Sequence, residues 1–290
     1  MPELPEIETV KLQLQKHLIG ETIERIESLS HKTLHGNPKV VVGKKVVGIK
    51  RLGKMLVIDV SGNACLAIHF KMSGQLILIR NDKKQVTNRI VGGHPTEDYL
   101  NPMPSKHTRV IIYLKNGDII YFNDQRMFGY VKILKDAELR ALKFVQSLGK
   151  EPWDITDEEF YRLINKRKKA IKLVLMDQTL LSGVGNIYAN DGLWEARIHP
   201  NTRANELTLT QAKDLRQGVI TVLKDGIKYG GATSADAKYI DLDGLGGHYQ
   251  DHFRTYDRTG EKCLRKDGGV IKKTVLGGRG TYFCPKCQKI

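Results

Sequence analysis

The segment DQTLLSGVGNIYAND, residues 177–191, decides the architecture of the second half of the chain. Gly183 and Gly185 allow a tight turn, because glycine adopts backbone conformations that other residues rarely reach. A helix then begins at Asn186, and its first backbone N–H groups have no partner within the helix. Such groups can hold an anion such as a phosphate. The segment predicts two helices joined by a tight turn with an anion site at Asn186; a glycine-rich connection that binds nothing is the alternative.

Helical patterns continue on both sides of this segment. An apolar face begins at Leu139, and Thr156 with Glu159 forms a capping box. We expect helices from about residue 136 to about residue 230. The stretch 232–247 is rich in Gly and Asp and has no regular period, so it is expected to form a long loop.

The first half of the chain carries strand patterns instead. MLVIDV and ACLAIHF flank the turn SGN, and VIIYL and IIYF flank Asn116-Gly117, which is a strong hairpin signal. Before them, Ile7, Val10 and Leu14 recur at helical spacing. These patterns predict a mostly antiparallel two-layer sandwich with an opening helix packed alongside.

The composition is basic, with 47 Lys and Arg against 32 Asp and Glu and a formal net charge of +15. This charge suits a polyanionic partner, although ribosomal, membrane-surface and heparin-binding proteins share it. No apolar run is long enough to span a membrane. The opening MPELPEIETV has three acidic residues and no signal-peptide core. We therefore expect a cytoplasmic protein without a membrane partner.

Residue 2 is a proline, which has a distinctive chemistry at a chain start. Removal of Met1 would leave a secondary amine that can attack a sugar carbon and form an iminium ion. This ion is cationic without further protonation, and it acidifies the neighbouring sugar proton. Glu3 could protonate the ring oxygen as the sugar opens, and Glu6 lies one helical turn further on. Alternatively, Pro2 merely starts a helix, where proline is common.

Several motifs together resemble the formamidopyrimidine-DNA glycosylase family. They are MPELPEIETV, RLGKMLVI, HFKMSG, NDQRMFG, DQTLLSGVGNIYAND and GRGTYFCPKC, in the family's order from Pro2 to Gln288. The PELPE form favours the oxidised-purine branch over the endonuclease VIII branch. The resemblance implies an α+β multidomain fold. It comprises an N-terminal antiparallel β-sandwich with a flanking helix, a C-terminal helix-two-turn-helix domain and a zinc-finger-like β-hairpin.

This resemblance divides the chain into four segments. Residues 1–135 form the catalytic sandwich, and residues 136–150 a linker with a helix. Residues 151–247 form the helix-two-turn-helix domain with a lesion-sensing loop, and residues 248–290 form the zinc-finger-like hairpin.

The same resemblance implies roles for individual side chains, each of which has an ordinary structural alternative on its own. Met72, Arg126 and Phe128 would fill the gap left by a flipped base, and Arg126 and Phe128 would share one face of a strand. Met127 replaces a second arginine common in the family. The implied catalytic residues are Pro2, Glu3, Lys54 and Arg279, and the implied DNA-binding residues are His69, Met72, Arg126, Phe128 and Asn186.

The cysteines near the end of the chain predict a metal rather than a disulfide. The family's hairpin binds zinc through two CxxC pairs, but here only Cys284 and Cys287 form such a pair. Cys263 has no CxxC partner. When Ile271 is aligned with the isoleucine of the family pattern, Asp267 falls at the position of the missing cysteine. Because aspartate can ligate zinc, the resemblance implies one zinc ion held by these four residues. The alternative is that Lys266 fills the position and the hairpin folds without metal.

The resemblance implies a bifunctional DNA glycosylase and AP lyase of base excision repair. It would excise 8-oxoguanine and formamidopyrimidines from double-stranded DNA through a Schiff base on Pro2, and cleave the strand by β,δ-elimination. We expect a monomer that associates with the nucleoid through DNA. Two alternatives stay open: an endonuclease VIII-like enzyme for oxidised pyrimidines, and a catalytically silent damaged-DNA-binding protein, which a retained Met1 would produce.

Overall fold

The computed structural model describes residues 2–81, 89–94, 98, 101–232 and 247–290. The chain forms two compact units. One joins Met1–Gln146 with Tyr229–Gln250, and the other joins Ser147–Lys228 with Asp251–Ile290. Most of the loop predicted at 232–247 falls on residues 233–246, which lie outside the described residues.

Helix α1, Leu4–Leu18, opens the first unit. Ile7, Val10 and Leu14 are buried on one of its faces, so the opening helix predicted from their spacing is confirmed. The helix ends just before Gly20, whose φ of 89° lies in the left-handed region that helices commonly use to stop.

The strands of the first unit form two five-stranded sheets, in the orders β1-β8-β9-β6-β7 and β2-β10-β5-β4-β3. All neighbouring strands are antiparallel except β2 and β10, which form a short parallel pair. The predicted antiparallel sandwich is therefore confirmed. The strand bounds are β1 Ile23–Ser28, β2 Leu34–His35, β3 Val46–Leu52, β4 Met55–Val60, β5 Ala64–His69, β6 Gly74–Ile79, β7 Arg89–Gly93, β8 Thr108–Leu114, β9 Ile119–Asp124 and β10 Tyr130–Lys135.

Both predicted hairpin turns are present. The turn SGN joins β4 to β5, and Asn116-Gly117 joins β8 to β9. Gly117 has a φ of 88°, a value that a glycine reaches without a Cβ clash. Local turn chemistry therefore determines the register of these two strand pairs.

Apolar side chains of both sheets and of α1 form one core. Strands β4 and β5 are buried on both faces, because a second cluster covers the side that points away from this core. Leu139 and Phe144, from helices α2 (Asp136–Ala141) and α3 (Lys143–Gln146), belong to that cluster. Burying a side chain of this size contributes about 1.5–3 kcal/mol, so these strands form a rigid base for the loops at their ends.

The second unit is mainly helical. The predicted capping box is confirmed: Glu159 N donates to Thr156 Oγ1 at 3.1 Å, and Thr156 N donates to Glu159 Oε2 at 3.0 Å. No helix among the described residues is long and apolar enough to cross a membrane. The helix bounds are α4 Asp157–Asn165, α5 Ile171–Leu175, α6 Asn186–Glu195 and α7 Leu209–Lys228.

A two-stranded hairpin completes the second unit. Strands β11, Lys272–Leu276, and β12, Arg279–Phe283, are antiparallel and joined by two glycines in the left-handed region. Arg279 is therefore the first residue after the turn, at the exposed tip of the hairpin.

Candidate functional site

The first residues of the chain are buried and held by one carboxylate. Pro2 and Glu3 are both buried. Glu6 accepts a hydrogen bond from Glu3 N at 2.7 Å through Oε2, and one from Ala232 N at 2.8 Å through Oε1. A Cβ added at Gly231 would lie 2.9 Å from Glu6 Cγ, so the close approach of residue 231 to Glu6 requires glycine. Glu6 thus fixes the backbone beside Pro2.

Lys54 occupies the turn between β3 and β4 and is 7% exposed. Arg51 ties this turn to α1: its Nε lies 2.8 Å from Glu8 Oε2, and its Nη1 donates to Gly53 O at 3.0 Å. Lys54 precedes Met55, which pairs with His69 across β4 and β5. The first unit therefore holds the lysine, the histidine and the N-terminal helix in one framework.

His69 is buried, and a backbone hydrogen bond fixes which ring nitrogen carries its proton. Its Nδ1 accepts a bond from Lys71 N at 3.1 Å, so the neutral ring carries its proton on Nε2. Burial first, and then the charges of Lys71 and Lys54, lower the pKa of His69 to about 3. The ring is therefore neutral near pH 7 and can donate from Nε2.

This pKa predicts a specific loss of stability in acid. An unfolded histidine titrates near pH 6.5, whereas folded His69 titrates near pH 3, so the unfolded state binds one more proton between these values. Stability is therefore lost as the pH falls below about 6.5. We expect His69→Gln to reduce the pH slope of unfolding free energy by up to about 1.4 kcal/mol per pH unit, measured by urea unfolding. The exposed His31→Gln variant is the control, and an unchanged slope in His69→Gln would contradict the assignment.

Met72, Arg126 and Phe128 lie together on the first unit. Arg126 Nη1 donates to Met72 Sδ at 3.6 Å, and the guanidinium carbon lies 5.1 Å from the centroid of the Phe128 ring. Phe128 is 56% exposed, which is unusual for a large apolar side chain. The prediction that Arg126 and Phe128 share a strand face is wrong. They lie in the loop between β9 and β10, where Met127 adopts a φ of 54° and interrupts the extended backbone.

The buried carboxylate of Asp124 holds this loop. Its Oδ1 accepts from Arg126 N at 3.2 Å and from the Ser73 hydroxyl, and its Oδ2 accepts from Gly129 N at 2.6 Å. Ser73 follows Met72 in the chain, so Asp124 organises both segments of the cluster. No sequence prediction included Asp124. The signal that could have indicated it is an acidic residue at the end of the apolar strand β9, directly before the exposed residues of NDQRMFG.

We expect Asp124→Asn to loosen the loop without changing its size. An amide offers one acceptor oxygen where the carboxylate offers two, so one of the buried donors loses its partner at a cost of about 1–3 kcal/mol. Thermal unfolding measures this cost, and amide exchange at Gly129 should quicken. The exposed Asp154→Asn variant should leave both values near those of the parent. Unchanged exchange at Gly129 in Asp124→Asn would show that the carboxylate does not hold the loop.

The predicted turn before α6 is present in the second unit. Gln178 Oε1 accepts from Gly183 N at 3.0 Å, and Gln178 Nε2 donates to the backbone carbonyls of Met176 and Val184. Gly185 is the N-cap of α6, and Asn186 is its first residue. The first turn of α6 contains no acidic residue, so its N–H groups suit an anion.

A buried lysine holds the hairpin that presents Arg279. Lys172 of α5 is fully buried, and its Nζ donates to Gly280 O at 2.8 Å and to Thr281 Oγ1 at 2.7 Å. These bonds fix the two residues that follow Arg279. No sequence pattern indicates this role for Lys172, because its partners lie more than 100 residues further along the chain.

Asn190 links the hairpin to the start of α6. Its Oδ1 accepts from Tyr282 N at 2.8 Å, and its Nδ2 donates to Asn186 O at 2.6 Å. One side chain therefore fixes β12, which carries Arg279, relative to Asn186. Both predicted anion-binding residues of the second unit thus belong to one hydrogen-bonded framework.

Four side chains with metal-ligand chemistry meet beside the hairpin. Cys263, Asp267, Cys284 and Cys287 place their ligand atoms within 4.8 Å of one another. The sulfurs of Cys263 and Cys287 are 3.9 Å apart, close to the roughly 3.8 Å that tetrahedral zinc with 2.3 Å bonds to sulfur requires. Asp267 Oδ2 lies 3.6 Å from Cys284 Sγ. The donors therefore fit one zinc ion, with Asp267 rather than Lys266 in the place of the missing cysteine.

The predicted residues fall into two groups, each held within its own unit. The first unit contains Pro2, Glu3, Lys54, His69, Met72, Arg126 and Phe128, and the second contains Asn186, Arg279, Cys263, Asp267, Cys284 and Cys287. Each group includes cationic side chains that suit a polyanion, and the second group also includes the candidate metal ligands.

Three family models match the chain in succession. They are the formamidopyrimidine-DNA glycosylase N-terminal domain at residues 1–131, the formamidopyrimidine-DNA glycosylase H2TH domain at residues 148–238, and the zinc finger found in FPG and IleRS at residues 260–290. The third match covers all four candidate metal ligands.

Curated and solved relatives agree with these matches. A formamidopyrimidine-DNA glycosylase of Pelotomaculum thermopropionicum is 36% identical, with all of both chains covered. The Lactococcus lactis FPG mutant G226P, solved with Fapy-dG-containing DNA, is 32% identical with a TM-score of 0.84, again over all of both chains. The wild-type Lactococcus lactis protein, solved with DNA containing an oxidised pyrimidine, is 31% identical with a TM-score of 0.83 over all of both chains.

Proposed function

Because the chain belongs to the formamidopyrimidine-DNA glycosylase family, we propose that it excises oxidised purines from double-stranded DNA with Pro2 as its covalent nucleophile. Family membership gives the class of activity: the protein is a DNA glycosylase of base excision repair with AP lyase activity. The proposed substrates are 8-oxoguanine and formamidopyrimidines. The observation that carries this proposal is the buried Pro2-Glu3 start of the chain, fixed in place by Glu6.

The first chemical step uses the secondary amine of Pro2 after Met1 is removed. The nitrogen attacks the anomeric sugar carbon, and the base leaves with the electrons of its bond to that carbon while the nitrogen gives up its proton, which balances the charge on the departing base. Glu3 then protonates the ring oxygen while the sugar opens, and an iminium ion forms between Pro2 and the sugar. The rigid placement of the backbone beside Pro2 lowers the entropic cost of reaching this geometry.

The iminium ion makes the lyase steps possible. It withdraws electrons from the neighbouring sugar carbon, so a proton is lost there and the 3′ phosphate leaves. A second elimination then expels the 5′ phosphate, and hydrolysis releases the sugar fragment from Pro2. This β,δ-elimination accounts for strand cleavage without a further nucleophile.

We assign the cationic and polar residues to the phosphates around the lesion. Lys54 and His69 Nε2 are donors in the first unit, while Arg279 and the N–H groups near Asn186 are donors in the second. Arg279 offers a planar pair of donors that matches phosphate geometry. The net charge of +15 supports binding to a polyanion as a whole.

The exposed cluster of Met72, Arg126 and Phe128 suits nucleotide extrusion. Flipping a base out of the stack costs a few kcal/mol of stacking and pairing, which inserted side chains partly replace. Phe128 can stack, Met72 can fill the gap, and Arg126 can pair with the orphaned base.

We further propose that the protein acts as a monomer in the cytoplasm, where it associates with the nucleoid through DNA.

Borohydride trapping tests the nucleophile and the substrate together. Protein without Met1 is incubated with a duplex carrying 8-oxoguanine opposite cytosine, and in parallel with a duplex carrying an oxidised pyrimidine. We expect a covalent complex on the purine lesion. A Lactococcus lactis relative was solved with DNA that contains an oxidised pyrimidine, so the second duplex tests this alternative substrate. Trapping only on the pyrimidine duplex would mean that oxidised pyrimidines are the preferred substrates. Tight lesion binding without trapping on either duplex would indicate a damage-binding protein instead.

A further inference from the structure

Trp194 lies against the candidate metal centre. It is one of the last residues of α6 and is 6% exposed. Its indole Nε1 donates to Cys263 Sγ at 3.4 Å. A buried indole N–H needs an acceptor, and here the acceptor is the sulfur of a candidate zinc ligand.

Arg265 stacks on the same tryptophan and contacts a second candidate ligand. Its guanidinium carbon stacks 3.6 Å from the centroid of the Trp194 ring, and its Nη1 lies 3.8 Å from Cys287 Sγ. The same guanidinium donates to Trp194 O at 2.8 Å and to Glu195 O at 3.0 Å. These carbonyls are at the C-terminal end of α6, where a cation is favourable.

The charge of the donor set explains why such partners are needed. Three thiolates and one carboxylate around a divalent cation leave a net charge of −2 in a largely buried place. Hydrogen bonds to the ligand sulfurs disperse this charge, and the Arg265 guanidinium offsets part of it. Ordinary packing of an arginine on a tryptophan would not require each of the two side chains to contact a different ligand sulfur.

We propose that Trp194 and Arg265 position the metal centre and couple its loading to the C-terminal end of α6. This inference rests on the proposed metal site formed by Cys263, Asp267, Cys284 and Cys287. Because α6 begins at Asn186, metal loading would then stabilise the helix that offers the proposed phosphate site. Loss of either side chain weakens metal binding although neither one is a ligand.

Zinc affinity measures how much Trp194 and Arg265 contribute to the metal centre. The full chain and its variants compete for zinc with a chromophoric chelator at fixed pH. We expect Trp194→Phe and Arg265→Gln to bind zinc about 10- to 100-fold more weakly than the parent. Trp153→Phe changes the chain's other tryptophan, and Arg216→Gln removes an arginine of the second unit that is bonded to Asp157. Both controls should stay within about threefold of the parent.

Cobalt spectroscopy separates a contact to sulfur from a general loss of stability. Cobalt replaces zinc in the full chain, and the thiolate-to-cobalt absorption bands are recorded. Removing the N–H donor in Trp194→Phe makes the Cys263 sulfur a stronger electron donor, so these bands should shift. Arg265→Lys keeps a cation near Cys287 and serves as the milder second variant if Arg265→Gln does not fold.

The outcomes distinguish a failure of the metal site from a failure of the proposed coupling. A parent chain that binds no zinc would overturn the metal site itself. A parent that binds zinc, with Trp194→Phe equal to it in affinity and in cobalt bands, would leave the metal site standing and overturn only the proposed coupling. Weaker binding with shifted bands in Trp194→Phe, and unchanged controls, is the result that supports it.

Discussion

Replacing Pro2 with glycine is expected to reduce base excision by on the order of 1,000-fold, and to slow borohydride trapping to a similar extent. Glycine retains an amine, but its imine must gain a proton before it can act as an electron sink. The glycine backbone is also freer, so it loses the fixed placement that Glu6 gives to the buried chain start. Single-turnover excision on an 8-oxoguanine duplex measures the effect.

Pro5→Ala provides a matched control for this experiment. Pro5 lies in the first turn of α1, where alanine is well tolerated. We expect Pro5→Ala to keep excision and trapping within a few-fold of the parent. Equal excision and trapping by Pro2→Gly and the parent would mean that the chemistry does not depend on a secondary amine at residue 2.

Replacing Glu3 with glutamine is expected to slow base excision by about 100- to 1,000-fold, since general acid catalysis contributes 10²- to 10⁴-fold. Glutamine preserves the shape of this buried side chain but cannot protonate the sugar ring oxygen. Single-turnover rates should therefore fall while the Kd for lesion DNA stays within about threefold. Glu24→Gln, at an exposed position on β1, is the control for charge loss.

An excision rate of Glu3→Gln close to that of the parent would remove Glu3 from the chemistry. If weaker DNA binding accounts for the whole decrease in excision rate, Glu3 has a structural role instead. The two readouts therefore separate proton transfer from folding of the chain start.

The elements set by local chemistry could be predicted from the sequence. The period of Ile7, Val10 and Leu14 gave α1, and Asn116-Gly117 gave a hairpin, because each signal depends only on neighbouring residues. The capping box at Thr156 is equally local. For the candidate metal site, the spacing of the cysteines and the alignment were sufficient to select Asp267.

Side chains whose partners are distant in the sequence could not be predicted. Ser73 and Asp124 are 51 residues apart, Lys172 and Thr281 are 109 apart, and Trp194 and Cys263 are 69 apart. Composition and periodicity contain no information about such pairs. The strand assignment for Arg126 and Phe128 failed for a related reason, because the loop depends on hydrogen bonds to Asp124 that only the folded chain creates.

The bond between Glu6 and Ala232 joins residues 226 positions apart, which constrains the order of events during synthesis. At about 5–20 residues per second on the ribosome, Ala232 is added roughly 10–45 s after Glu6. The nascent N-terminus therefore lacks the hydrogen bond between Glu6 and Ala232 while the rest of the chain is translated. Met1 can be cleaved from Pro2 in that interval, before folding buries the proline and closes it to an aminopeptidase.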